Sequence, residues 1–313
     1  MHVINQKFSV SYEYPVCFTR DALAPENMAL CDLVARAGNF THKVQPVIDS
    51  QVLADNPDLL DKIELYGAVH GDLIEFEEPF IVRGGEICKN EHSEVEEFFR
   101  LTQDRKICRH SFVLVIGGGS VIDAIGYAAA VSHRGIRLIR MPTTVLGQND
   151  AGIGVKNAIN FRNRKNYLGT FATPYAVLND FEFLRSLAPR DQRAGMAEAV
   201  KVSLIRDADF FKWLHENSEN LSNFEEAAVE RMIIRCAELH LRHIATGGDP
   251  FEQGSARPLD FGHWSAHRLE EISKSDLRHG EAVAIGIALD SHYSYAIGLI
   301  NEDTRDRIIA TLR

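Results

Sequence analysis

The stretch DFGHWSAHRLEE, residues 260–271, sets His263 and His267 four positions apart. On a helix this is about one turn, so both imidazoles leave the same face. Zinc proteases use two histidines at this spacing, with a glutamate directly after the first; here that position is Trp264. Either the pair grips one metal or the two rings have separate tasks. Two more residues belong to the same question: Glu198 in GMAEAVK and His279 in RHGEAVAIG. One carboxylate and two imidazoles with an open position form the donor set of a catalytic divalent metal, zinc above all. Each also has a plainer reading. Glu198 and Lys201, three apart among alanines, make an ordinary helix ion pair, and a histidine also serves as a polar residue in a satisfied niche.

A second feature is SFVLVIGGGSVIDAIGYAAA, where Gly117, Gly118 and Gly119 join an apolar run to a helical one. Glycine admits a ligand close to the backbone, and the following helix N-terminus offers free N–H groups, a combination suited to a pyrophosphate. The loop is not a GxGxxG fingerprint, and such turns also arise for steric reasons alone. Asp123, placed in the first helical turn, either stabilises the dipole or meets a ligand. Asp49, after VQPVI, either shapes a turn or accepts ribose hydroxyls. A third feature is QNDAGIGVKNAINFRNRKNYLGTF, with Asp150, Lys156, Arg162, Arg164, Lys165 and Asn166. It reads as a solvated basic loop, or as a loop folded into a cleft where ammonium and amide groups bind phosphate and hydroxyls.

Such side chains need a scaffold. Through about residue 183, apolar runs alternate with helical patterns: THKVQPVID as a strand, then a helix through LADNPDLLDKI. EHSEVEEFFRLTQ reads as an exposed helix, SFVLVIG as a buried strand, SVIDAIGYAAAVS as a close-packed helix and GIRLIRMP as a strand. This rhythm predicts βαβ units in a mostly parallel sheet. From 184 to 313 the periodicity is helical. The expectation is an α/β domain over residues 1–183 and an all-helical domain over 184–313. DTRDRIIATLR reads as an amphipathic helix without a stop signal, so the C-terminus is expected to be shortened.

The 313 residues carry 34 Lys and Arg against 44 Asp and Glu, a formal charge of −10. That balance argues against nucleic acid or an anionic membrane as partner, while leaving room for a small anionic substrate in a local basic pocket. No apolar run reaches the ~18 residues that a membrane span needs. Cys17, Cys31, Cys88, Cys108 and Cys236 are scattered and odd in number, which reads as reduced packing residues of a cytoplasmic protein.

Taken in order, GGE at 84–86, GGGSVID at 117–123, RGIRLIRMPTT at 134–144, IGVKNAIN and RKNYLGTF within 153–171, GMAEAVK at 195–201, DFGHWSAH at 260–267 and HGEAVAIG at 279–286 resemble the sugar phosphate cyclases, typified by 3-dehydroquinate synthase. The resemblance implies an N-terminal NAD-binding domain, a helical metal domain and an active site in the cleft between them. It implies zinc, or another divalent metal such as Co²⁺, on Glu198, His263 and His279. NAD contacts are implied at Asp49, Glu86, Lys89, Gly118, Gly119, Ser120, Asp123, Thr143 and Thr144, and at Asp150, Lys156, Lys165, Phe183 and Ser186. The implied catalytic and substrate positions are Asp150, Lys156, Lys165, Asn166, Lys201, Asp260 and His267, with Arg134 reaching the neighbouring subunit's substrate phosphate in a homodimer. His267 then faces substrate as a proton-transfer candidate and is not a zinc ligand. The implied chemistry is transient oxidation of an alcohol of a sugar phosphate by NAD⁺, elimination of phosphate, return of the hydride, ring opening and an intramolecular aldol closure to a carbocycle.

The chain departs from the dehydroquinate synthase pattern at four places, all in the substrate cleft. Asp260 replaces an Asn, Ala256 an Arg (with Arg257 beside it), Val155 interrupts a GGK, and a lysine is lost near His240 and Arg242. These changes suit a substrate carboxylate less well, and relatives that cyclise sedoheptulose 7-phosphate to valiolone-type products also vary here, although they tend to lose the histidine retained as His267. A segment beyond residue 313 that contacts substrate phosphate is expected from the resemblance. A competing reading is an NAD-dependent metal alcohol or polyol dehydrogenase, which shares the fold and a GGGS-x-x-D loop. Such enzymes usually carry a lysine where this chain has Gly126, and they lack the KN pair at 165–166 and the lysine of AEAVK.

Overall fold

The structure, a computed structural model, describes residues 1–162, 164–247, 250–251, 258–273 and 276–313. Among the described residues the strands are β1 (Val16–Thr19), β2 (His42–Asp49), β3 (Ile74–Phe76), β4 (Phe80–Val82), β5 (Phe112–Gly117), β6 (Arg137–Pro142), β7 (Lys156–Phe161), β8 (Arg164–Phe171) and β9 (Ala176–Asp180). The main sheet runs β1-β9-β6-β5-β2-β3, with β4 also on β2. Every pairing in it is parallel. The central strand β5, FVLVIG, is buried at every position, as a parallel strand covered on both faces must be. The register sets Ile48 beside Ile116 and Gly117 beside Pro142, so Asp49, the glycine loop and Thr143 emerge together at the carboxyl edge of the sheet. In open parallel sheets this edge is where ligands bind.

The helix Gly119–Val131 follows the glycine loop and buries Val121, Ile122, Ala124, Ile125, Ala128 and Ala129. Its alanines permit close packing on the sheet, as the sequence reading anticipated. The helix expected after β2 is broken into Ser50–Asp55 and Leu59–Val69. Pro57 disfavours helical backbone at Asn56, which ends the first piece. The helix Ser93–Asp104, expected to be exposed, buries Val95, Phe98 and Thr102 on one side.

The basic segment at 148–171 is not a loop. A π-helical turn, Gly147–Ala151, leads into an antiparallel hairpin of β7 and β8. Strand β7 buries Asn157, Ala158, Ile159 and Asn160, whereas β8 is largely exposed. The exposed strand carries Arg164, Lys165 and Asn166, and its polarity hid the strand pattern.

Beyond β9 a short 3-10 helix, Phe181–Ser186, contains the boundary expected at 183. Helices follow to the end of the chain, including Ala197–Arg206, Glu226–Thr246, His263–Ile272 and His279–Ala296. They share a core that includes Val202, Met232, Ile233, Cys236, Val283 and Ile287. Two glycines set the crossing of the last two. Gly262 has φ +75°, and a Cβ on Gly286 would lie 1.9 Å from the Gly262 carbonyl oxygen. Asp290 then accepts the Gly262 N–H at 2.7 Å and the Trp264 indole N–H at 3.1 Å.

Alanine ordinarily replaces a mid-helix glycine with a gain of about 0.5–1 kcal/mol. At Gly286 the sign should reverse: Gly286→Ala is expected to destabilise by about 1–3 kcal/mol through overpacking against backbone that has no room to move. Thermal denaturation of the two proteins under identical metal loading checks this, and an unchanged or higher midpoint refutes it.

Candidate active site

Three helices converge on one point. Glu198, in the first turn of Ala197–Arg206, is fully buried. His263 opens its helix directly after the Gly262–Asp290 clamp. His279 opens the next, where the Glu281 carboxylate accepts the Arg278 N–H at 2.8 Å and two bonds from Arg190 at 2.6 and 2.7 Å. His263 Nε2 lies 3.4 Å and His279 Nε2 3.7 Å from Glu198 Oε1. These separations exceed the usual N–H···O range of about 2.7–3.2 Å, and a donor atom from each residue lies within 4.8 Å of the others. Donors that face one another without bonding, around a buried carboxylate, fit a tetrahedral divalent ion with an open position.

The ring nitrogens are already sorted. His263 Nδ1 is 3.2 Å from the Phe261 carbonyl oxygen, which only accepts, so this nitrogen carries the proton and Nε2 is free to ligate. His279 Nδ1 is 3.3 Å from Glu270 Oε1. Burial lowers the His279 pKa, but the carboxylates of Glu198 and Glu270 on its two sides outweigh that and raise it to about 9. Burial alone would raise the Glu270 pKa; His279 and then Lys165 hold it down at about 2.

The other oxygen of the same carboxylate, Glu198 Oε2, contacts the Lys201 ammonium, which is also buried. Burial works against both charges, but Lys201 and the two histidines keep the Glu198 pKa well below the usual carboxylate range. Next to Lys201, His240 Nε2 meets Asp150 Oδ1 at 3.0 Å. His240, which the sequence reading noted only as marking a lost lysine, thus enters the site. Its signal was weak: one histidine on a long amphipathic helix. Glu270 was missed because HRLEE looks like a solvated face, yet this glutamate is 6% exposed.

His267 stands on the face of His263, with ring centroids 5.6 Å apart, but remains exposed and outside the ligand triad. Lys165, from β8, reaches across to Glu270 at 2.6 Å. Lys156 begins β7 and is exposed. Asp260 is exposed, and its carbonyl accepts the His263 N–H at 2.8 Å. Ala256 and Arg257 lie outside the described residues.

At the sheet edge, Gly118 is the N-cap of the helix Gly119–Val131 and provides no side-chain acceptor for its first N–H groups. Thr143 is buried and donates its N–H to the Gly117 carbonyl at 3.1 Å, while Thr144 Oγ1 accepts from the Gly147 N–H at 3.0 Å. Asp49 caps the helix Ser50–Asp55 through the Gln51 N–H at 2.9 Å, so the turn-shaping reading holds whether or not a ligand also contacts it. Asp123 is not in the first turn and caps nothing; it sits one turn further on and pairs with buried Lys89 at 2.7 Å. Lys89 also contacts Asn166 Oδ1, and Asn166, at φ +53°, donates its N–H to Asn160 Oδ1 at 2.8 Å. Glu86 accepts from Ser120 at 3.2 Å and from Asn160 at 2.9 Å. These residues form one network between the hairpin and the glycine-loop helix. Ser186 takes a bond from Asn56 at 3.1 Å, beside buried Phe183. Arg134 is exposed at φ +64°, beyond the far end of the glycine-loop helix. It therefore stands at the opposite edge of the sheet and does not join the site.

Comparison with known proteins matches residues 79–194 to the model of the 3-dehydroquinate synthase N-terminal domain and residues 195–313 to that of its C-terminal domain. The 3-dehydroquinate synthase of Cereibacter sphaeroides is 40% identical over 212 residues, 67% of this chain and 56% of the relative. The 2-epi-valiolone synthase of Actinosynnema mirum is 35% identical over 208 residues, 66% of this chain and 54% of the relative. The chain thus spans little more than half the length of these curated relatives. The structure of 2-epi-5-epi-valiolone synthase from Streptomyces hygroscopicus subsp. jinggangensis, with NAD⁺ and Zn²⁺ bound, superposes with a TM-score of 0.87 at 30% identity, covering 99% of this chain and 82% of that one.

Two outcomes follow for metal binding, both read by competition with a chromophoric chelator. His279→Ala should lower zinc affinity by orders of magnitude, and His267→Ala should leave it within a few-fold; equal losses would break the division of roles between the two histidines. Below about pH 9 the metal-free protein holds a second proton on His279, which zinc must displace. Zinc affinity should therefore rise by about tenfold per pH unit between pH 7 and 8.5, and a flat profile would contradict the arrangement.

Proposed function

This chain belongs to the 3-dehydroquinate synthase family, and from that premise we propose that it is a sugar phosphate cyclase. On this reading it is a carbon–oxygen lyase that uses NAD⁺ and a divalent metal, zinc or cobalt, to convert a seven-carbon sugar phosphate into a carbocycle with loss of phosphate. The observation that carries the reading is the triad of buried Glu198 with His263 and His279, and Lys201 on the remaining carboxylate oxygen. NAD⁺ supplies a hydride acceptor that is regenerated within the cycle, and the metal supplies a Lewis acid for adjacent hydroxyls.

The chain's own residues then have assignable tasks. The N–H groups after Gly118 receive the pyrophosphate. Lys201 and Asp150, held together beside the triad, fix the hydroxyls of the reacting carbons. His267, exposed one helical turn from His263, moves a proton between substrate and solvent. Lys156, at the open end of the hairpin, meets anionic oxygens of substrate. Arg134, remote from its own site, serves the neighbouring protomer of a homodimer. Among the described residues no helix is long and apolar enough to cross a membrane, and we place the protein in the cytoplasm on its unpaired, partly buried cysteines.

Within this family the alternative is a valiolone-type reading, with sedoheptulose 7-phosphate as substrate, which rests on the likeness to the Streptomyces valiolone synthase over nearly the whole chain and on Asp260 in place of Asn, whereas the retained His267 and the 40% identity to the Cereibacter enzyme speak for the dehydroquinate synthase reading. The alcohol dehydrogenase reading is weakened at Gly126, where a Cβ would lie 2.0 Å from Asn157 Oδ1. A lysine there would displace the Asn157 side chain from buried Arg140.

One assay separates the three. The zinc- and NAD-loaded protein is mixed with sedoheptulose 7-phosphate or with the carboxylated heptulosonate phosphate, and inorganic phosphate and absorbance at 340 nm are followed together. Phosphate release without net NADH is expected. NADH accumulating in proportion to substrate, with phosphate retained, would sink the cyclase, and the substrate that turns over decides between the two cyclase readings.

A further inference from the structure

We propose that Glu270 is a positioning residue of the metal centre, accepting the Nδ1 proton of His279 so that Nε2 is held toward Glu198 and His263. The inference deepens the metal reading above and rests on it. Three observations converge. Glu270 is buried on the helix that begins with His263, and its Oε1 lies 3.3 Å from His279 Nδ1. The only other histidine of the triad has its Nδ1 fixed in the same sense, by the Phe261 carbonyl at 3.2 Å. Both rings thus present Nε2 to the same Glu198 oxygen, at 3.4 and 3.7 Å. A neutral imidazole ligates through the nitrogen that lacks a proton, and a carboxylate on the other nitrogen fixes tautomer and ring angle while raising donor strength.

Lys165 gives the arrangement a second half. Its ammonium lies 2.6 Å from the same Glu270 oxygen. A buried carboxylate without a cation would be costly to keep ionised; Lys165 compensates it from β8, a strand of the other half of the molecule. Lys165, expected to contact cofactor or substrate, here pairs with the carboxylate that supports a metal ligand. The hairpin is thereby joined to the metal centre by one ion pair.

The test uses the full chain stripped of metal. Zinc affinity is measured by chelator competition for the wild type, Glu270→Ala and Glu270→Gln, with the Co²⁺ d–d spectrum and the NAD⁺ affinity of each. Glu270→Ala should weaken zinc by about 10–100-fold and alter the Co²⁺ spectrum, with NAD⁺ affinity unchanged. Glu270→Gln should recover most of the metal affinity, because the amide oxygen still accepts the Nδ1 proton. Should the cavity left by alanine unfold the protein, Glu270→Leu fills the volume without an acceptor and serves in its place. Wild-type affinity and spectrum in the alanine or leucine variant would overturn the proposal, and so would a glutamine variant as impaired as alanine. Failure of the metal reading itself looks different: the wild type would then take up no stoichiometric zinc, or His279→Ala would bind it unchanged.

Discussion

The structure is organised around a carboxylate that has no access to water. Glu198 is fully buried, and an uncompensated charge in that position would cost several kcal/mol. Compensation comes from three directions: Lys201 one turn along the same helix, His263 from a second helix and His279 from a third. For three helices to bring these side chains to one carboxylate, their backbones must approach closely. Small residues allow this. A Cβ on Gly280 would lie 1.5 Å from the Ala194 carbonyl oxygen, and Ala197 and Ala199 flank Glu198 itself. The alanine- and glycine-rich composition of GMAEAVK and HGEAVAIG is thus a consequence of the charge they surround.

Similar demands shape the other half of the molecule. Arg140 is wholly buried in β6, and burial lowers its pKa to about 10. Its guanidinium donates to the carbonyls of Gly152 and Gly154 at 3.1 and 2.7 Å and to Asn157 Oδ1 at 2.7 Å. The glycine-rich entry to the hairpin is therefore pinned to the sheet by carbonyls that a fixed cation requires. Lys89 does the same between Asp123 and Asn166. Of the cations in and around the hairpin, Lys89, Arg140 and Lys165 are thus occupied in holding polypeptide.

The elements legible in the sequence were those whose pattern reports burial directly. SFVLVIG could only be a covered parallel strand, and the helical periodicities after residue 184 required helices. The hairpin was not legible, because β8 alternates no apolar face and turns its charged residues outward. At the site, Glu198, His263 and His279 were found as a chemically sensible set, but their meeting depends on helix crossings that no local spacing encodes. Glu270 and His240 were passed over for a physical reason. Each is a polar residue on an amphipathic helix whose burial is decided by the neighbouring element. The dipole reading of Asp123 fails because it lies past the first helical turn, where it pairs with Lys89, 34 positions away in sequence.

Glu198 takes part in two donor groups: one with His263 and His279, another with Asp150 and His240. The geometry separates their chemistry. Oε1 faces the Nε2 atoms of the two imidazoles, whose Nδ1 atoms are engaged by the Phe261 carbonyl and by Glu270, so that both Nε2 atoms are directed at one point. Oε2 faces the Lys201 ammonium, which also lies in the field of Asp150. A second dication on that side would have to displace a buried, charge-paired lysine and break the 3.0 Å contact between His240 and Asp150. Two cations of different kinds would therefore share one carboxylate: Glu198, with His263 and His279, would hold the metal, and Lys201 already pairs with its other oxygen. The side that holds Lys201, Asp150 and His240 offers hydrogen-bonding groups, and the side that holds the triad would, with a metal bound, offer a Lewis acid, so the two functions lie across the width of a single carboxylate.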